Sequence, residues 1–123
     1  MGPLVLSEID ALRAGSDREP PGLAVRVLEL GSMVVIGLEG VLDEATAPVL
    51  QGRLPAVRTQ VPRLVVFDLS LLQALTDDGA RAVIEVERQV RIGRGRFAVR
   101  QPSAAVRDAL WRGGLPDDVE IEG

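Results

Sequence analysis

The segment RLVVFDLS, residues 63–70, reads as the clearest buried strand of the chain, and it leads directly into TDDGARAVIEVERQVRIG, where Gly79, Val83, Val86 and Val90 fall on one helical stripe. A helix with a single apolar stripe must fold back over a sheet to bury it, so this pair of segments already demands layered α/β architecture. The rest of the chain repeats the alternation. LAVRVLEL and MVVIGLEG read as two strands joined by Gly31 and Ser32, with Gly31 supplying the positive φ that a tight hairpin favours. Met33 to Leu38 is apolar on both faces and belongs in the centre of the sheet.

DEATAPVLQGRLPAVRTQ carries Ala47, Leu50, Leu54 and Val57 at helical spacing, with Thr46 as N-cap and Pro48 tolerated in the first turn. Pro55 lacks an amide donor and crowds the carbonyl four residues back, which predicts a kink or an end near Leu54. GRFAVR is a further strand. Ser103 caps a last helix with Val106 and Leu110 inward, and VEIE closes the sheet as a short edge strand. The order ββαβαβαβ implies a mixed, mostly parallel sheet of about five strands, with right-handed crossovers and an antiparallel strand from the initial hairpin. Residues 23–123 form this domain. Residues 1–22 read as an extension, a short helix capped by Ser7 and then a polar Pro/Gly-rich linker.

Composition narrows the chemistry. The chain of 123 residues has neither cysteine nor histidine, and its fourteen basic residues are all arginine. Thiolate chemistry, the usual zinc ligands, the commonest general base, Schiff bases and the phosphate-binding lysine of a nucleotide loop are therefore missing. A net charge of −4 argues against a nucleic-acid surface. No basic leader precedes an apolar run, and none of the apolar runs reaches membrane-spanning length, so a cytoplasmic protein without membrane insertion is expected.

The adjacent acids Asp77 and Asp78 need a reading of their own. After Thr76 they suit a helix start, a hydroxyl cap followed by two carboxylates at the positive end of the helix dipole, each worth about 0.3–1 kcal/mol. Metal-dependent phosphotransfer through Asp68, Asp77 and Asp78 would need a partner lysine, which the chain lacks. A glycosidase pair fails as well, because neighbours on one turn do not flank a scissile bond. Neither a metal nor a cofactor is implied. Arg81, Glu85, Glu87, Arg88 and Arg91 fall mostly opposite the apolar stripe and read as a solvated face with ion pairs at three- and four-residue spacing.

Three stretches together resemble the STAS domain, the family of bacterial anti-sigma factor antagonists. VVIGLEGVLDEATAPVL is similar to its strand, L-x-G-x-L-D turn and T-A-P helix start, here Leu38, Gly40, Leu42, Asp43, Thr46 and Pro48. RLVVFDLSLLQALTDDG resembles its central strand ending in D-L-S and a loop to a D-S-S-G helix start. QPSAAVRDALWRGGLPDDVEI resembles its closing helix and last strand. The resemblance implies a single STAS-like domain with helices packed mainly on one face and no enzymatic activity. It also implies a partner: an anti-sigma factor of the serine-kinase type, or another signalling protein, that phosphorylates a serine in D-S-S-G and so ends binding.

Here those four positions read Thr76, Asp77, Asp78 and Gly79, so Asp78 replaces the acceptor serine. One negative charge then stands where a phosphoserine would carry about 1.5 to 2. Two outcomes stay open: Asp78 mimics the phosphorylated state, or the partner has adapted to an acid and binding is unswitched. Thr76 is either the helix cap or an alternative acceptor. Asp43 is either a cap of the first helix or, with Asp78, part of an acidic docking rim whose contacts would be salt-sensitive. The rival reading of the same fold is a scaffold or sensor module, or a transporter-associated subunit, and a homodimer stays open in either case.

Overall fold

The computed structural model describes residues 22–58 and 64–122, with side chains described up to Arg53 and from Leu64 onward. Apart from Gly22, the expected N-terminal extension lies outside the described residues. Strands β1 (Leu23–Leu30) and β2 (Met33–Leu42) lead to helix α1 (Ala47–Arg58) and strand β3 (Leu64–Leu75). Helix α2 (Asp77–Ile92), strand β4 (Arg96–Arg100), helix α3 (Ala104–Gly113) and strand β5 (Glu120–Glu122) follow. The spatial order of the sheet is the order of the chain, β1-β2-β3-β4-β5. β1 is antiparallel to β2, and every later pair is parallel. The expected order, hairpin and short edge strand are all present, and Gly31 turns the hairpin at φ 64°.

Chain-order addition of strands has a geometric consequence. Each right-handed crossover places its helix on the same face when the next strand is always laid on the same side of the last. One core results. Val34, Ile36 and Leu38 of β2 and Val65, Phe67 and Leu69 of β3 meet Leu50 of α1, Val83 and Val86 of α2, and Val106 and Leu110 of α3 in a single buried cluster. The Phe67 and Phe97 rings lie 5.3 Å apart, tilted by 34°. Each such side chain, fully removed from water, contributes about 1.5–3 kcal/mol before its ordering entropy is counted.

Four local expectations change. The helix α1 continues through Pro55 to Arg58 instead of ending at Leu54, since a missing donor removes one backbone bond without forbidding the helix. β3 does not end at Ser70: it runs on to Leu75, pairing Glu39 with Leu71 and Leu42 with Leu75 across two register shifts. Those shifts break the two-residue period, which is why SLLQAL reads as a loop in the sequence. Thr46 does not cap α1 with its side chain; Asp43 takes over that work. Glu87 is buried within α2, not on its solvated face, and receives two hydrogen bonds from Arg91 at 3.0 and 3.1 Å. The other helical ion pairs are exposed, Asp78 with Arg81 and Glu85 with Arg88.

Candidate functional site: a groove between two helix starts

Two chain turns meet beyond the ends of β2 and β3. The first is built by Leu38, Gly40, Leu42 and Asp43. Leu38 and Leu42 are buried, while Gly40 takes φ 109° and passes so close to Gly22 that a Cβ would lie 2.2 Å from its carbonyl oxygen. Only glycine fits both conditions. Asp43 then organises the turn into α1: one carboxylate oxygen accepts the amides of Ala45 and Thr46, both at 3.0 Å, and its carbonyl accepts the amide of Ala47 at 2.8 Å. The buried Thr46 hydroxyl accepts the Asp43 amide and lies 2.9 Å from the Val41 carbonyl. Asp43 is thus a structural cap, which the sequence left as one of two readings.

The second turn starts α2. Thr76 is extended and its hydroxyl accepts the Gly79 amide at 3.2 Å, the expected N-cap. Its own amide donates to the carbonyl of Leu42 at 3.1 Å, tying the helix start to the residue before Asp43. Gly79 completes the junction, because a Cβ there would stand 2.2 Å from the same Leu42 oxygen. Asp77 is exposed in this first turn. Asp78 is partly exposed and paired with Arg81, one turn along the helix.

Between the helices lies an open groove of about 640 Å³, walled by Glu44, Pro48 and Gln51 from the α1 side and by Asp78, Arg81, Ile84 and Glu85 from α2, with Ala47 and Ala82 also in its lining. The structure therefore brings Asp78 to the rim of a groove whose opposite acid is Glu44. Sequence reasoning named Asp43 in that role and missed Glu44, Gln51, Arg81 and Glu85. Arg81 alone carried a readable signal, its three-residue spacing from Asp78; nothing in a single sequence brings residue 44 to residue 78. Glu85 is held below the ordinary glutamate range by hydrogen bonds from Arg88 and Gln89, which favour its charged form. Among the described residues no group of three His, Cys, Asp or Glu side chains is placed to hold a metal ion.

No family model matches the chain, nor does any curated protein. Solved structures do. An anti-sigma factor antagonist from Mycobacterium paratuberculosis superimposes with a TM-score of 0.72 at 24% identity, over 84% of this chain and 87% of the other. The chain has the STAS fold. The anti-sigma factor antagonist SpoIIAA in its unphosphorylated form matches this fold at a TM-score of 0.66 and 20% identity, over 81% of this chain and 89% of that one. A serine-to-glutamate variant of RsbS from Moorella thermoacetica matches at 0.67 and 21%, over 79% and 84%. Within this STAS fold the order of the described strands never reverses, so they form no crevice of the kind in which open α/β sheets usually hold small ligands, and the groove between helices is a concave feature that the described residues do form.

Proposed function

We propose that this chain is a regulatory, anti-sigma factor antagonist-like protein that binds an anti-sigma factor of the serine-kinase type, or a related cytoplasmic signalling protein, through the groove between α1 and α2. Asp78 is the non-phosphorylatable acid at its switch position. One observation carries the reading: the contact of Gly79 and Thr76 with Leu42 sets Asp78 on the rim of a groove built from both helix starts. The pairing of Asp78 with Arg81 supports the second of the two outcomes left by the sequence. A carboxylate that shares its charge with a guanidinium presents far less negative field than a phosphoserine, so the domain stays binding-competent and unswitched. Glu44, Asp78 and Glu85 outnumber Arg81 around the groove, which suits a partner surface rich in arginine or lysine.

The test is retention of partners by the tagged full chain, followed by incubation of the retained kinase with labelled ATP. Wild type stays unlabelled and bound, while Asp78→Ser becomes labelled and is released. Label on wild type overturns the reading, with Thr76→Ala then showing whether Thr76 accepts it. Retention of a transporter subunit or a paralogous STAS domain in place of a kinase selects the rival scaffold function. Affinity for the kinase should weaken about tenfold between low and high salt.

A further inference from the structure

The face of the sheet turned away from the helices is not covered by any described helix, yet half of it is apolar. Its rows run across β1, β2 and β3: Leu30, Met33 and Leu64 form one, Leu28, Val35 and Val66 the next, and Arg26, Gly37 and Asp68 the third. Leu28 and Leu30 are 55% and 49% exposed. The four apolar side chains that β2 and β3 add to these rows are half-buried and lie outside the helical core cluster. Sheets with parallel strands are rarely left open on a face.

We propose that a second copy of this chain packs on that face, sheet against sheet, about a two-fold axis running along β2. The pattern of the rows carries the inference. Such an axis lays β1 of each copy over β3 of the other, which sets Leu30 on Leu64, Leu28 on Val66 and Arg26 on Asp68, each contact made twice. Met33 and Val35 lie on the axis and meet their own counterparts. Gly37, where a Cβ would have nothing within 4 Å, leaves the third row open for Arg26 to reach across. Apolar meets apolar, and each arginine meets a carboxylate. Glu39, the next outward residue of β2, faces its own counterpart, and Arg26 at 3.3 Å offsets that charge. An axis along β3 sets Asp68 on Asp68, and one between β2 and β3 sets Arg26 on Arg100, so charge complementarity singles out β2. The exposed edge of β1 is the competing place for a second copy, but there Arg53 of α1 donates to the Val25 carbonyl at 3.0 Å and takes an acceptor that strand pairing would use. Three strands along the eight residues of β1 cover about 14 Å by about 26 Å, roughly 1,000 Å² of accessible surface over the two copies, the low end for a specific pair. The dimer is therefore weak. The groove between α1 and α2 lies on the opposite face and stays free in both copies.

Sedimentation equilibrium of the full chain should show a monomer–dimer equilibrium with a Kd on the order of 10–100 µM. Arg26→Asp sets acid on acid and Asp68→Arg sets guanidinium on guanidinium, so each variant alone should associate at least about tenfold more weakly. An equimolar mixture of the two should restore association, because every contact between the unlike copies then joins opposite charges; damage within a single chain is not repaired by mixing. A chain that stays monomeric at millimolar concentration leaves the face to another occupant and overturns the proposal. So does a dimer that survives either variant, or one that the mixture fails to restore while both variants keep the circular dichroism of the wild type. Should either charge variant fail to fold, Leu28→Arg, at a position already exposed, is expected to be monomeric, while Trp111→Ala on the exposed side of α3 stays dimeric. The reverse pattern puts the second copy on the helical side and overturns the proposal.

Discussion

The amide of Thr76 donates to the carbonyl of Leu42 at 3.1 Å, and three residues later Gly79 passes the same oxygen at a distance that leaves no room for a side chain. One carbonyl therefore holds the start of α2 against the turn that starts α1. The groove exists because the two helix starts share this anchor.

Adding a methyl group at the junction should open it. Gly79→Ala is expected to cost about 1–3 kcal/mol through forced displacement of α2, a fall of roughly 4–8 °C in melting midpoint for each kcal/mol. Gly52→Ala is the control: nothing lies within 4 Å of a Cβ on this exposed position of α1, so it should raise the midpoint slightly. Similar melting shifts for the two variants would refute the close-contact account.

Asp43 and Glu44 are neighbours with separable tasks. Asp43→Ala removes the acceptor for two amides and should destabilise the domain by about 1 kcal/mol. Glu44→Gln leaves stability unchanged and weakens affinity for a basic partner severalfold, because Glu44 lines the groove. Thermal melts paired with binding titrations distinguish them, and a stability loss in Glu44→Gln with intact binding would reverse the assignment.

Much of this architecture was legible from alternation alone. RLVVFDLS and the stripe of Gly79, Val83 and Val86 demanded a strand under a helix, and the caps Thr76 and Ser103 follow from short side chains placed before apolar periods. What stayed hidden needed three dimensions. The extension of β3 to Leu75 depends on register shifts against Gly37, Glu39 and Gly40, and a bulge erases the very period that marks a strand. Glu87 looks solvated because its neighbours Glu85 and Arg88 are; its burial follows from packing that spacing does not encode. Glu44 joins Asp78 only once β2 and β3 lie side by side.

Glu87 supplies a third prediction. Its carboxylate is buried and its partner Arg91 is largely exposed, held by two hydrogen bonds that raise the guanidinium's pKa. Arg91→Ala should lower the melting midpoint by several degrees, since it strands a buried carboxylate. Replacing both, Glu87→Met with Arg91→Ala, should recover much of the loss. A double variant no better than the single one would show that the carboxylate is satisfied elsewhere.

Asp68 gives the domain an acid-sensitive limb. Partial burial works to raise its carboxyl, but hydrogen bonds from the Ser70 hydroxyl and amide, with Arg100 and Arg26 nearby, outweigh it and hold the group below the ordinary aspartate value. A depressed folded pKa adds stability above the unfolded value, about 3.9, that is lost as pH falls through the folded one. Asp68→Asn should therefore flatten the decline of the urea midpoint between about pH 5 and 3. An unchanged pH profile would exclude the carboxylate as a contributor.

A sheet whose spatial order equals its chain order has one more effect. Each described strand pairs with the one before it in the chain: the hairpin closes over two residues, and every later strand lies beside its predecessor. No closure spans more than one crossover, which keeps the entropic cost of a parallel sheet near the least that such pairing allows. Synthesis from the N-terminus follows the same sequence, so the nascent chain can grow its sheet from one edge as it emerges, with little time spent exposing an unpaired template to its neighbours.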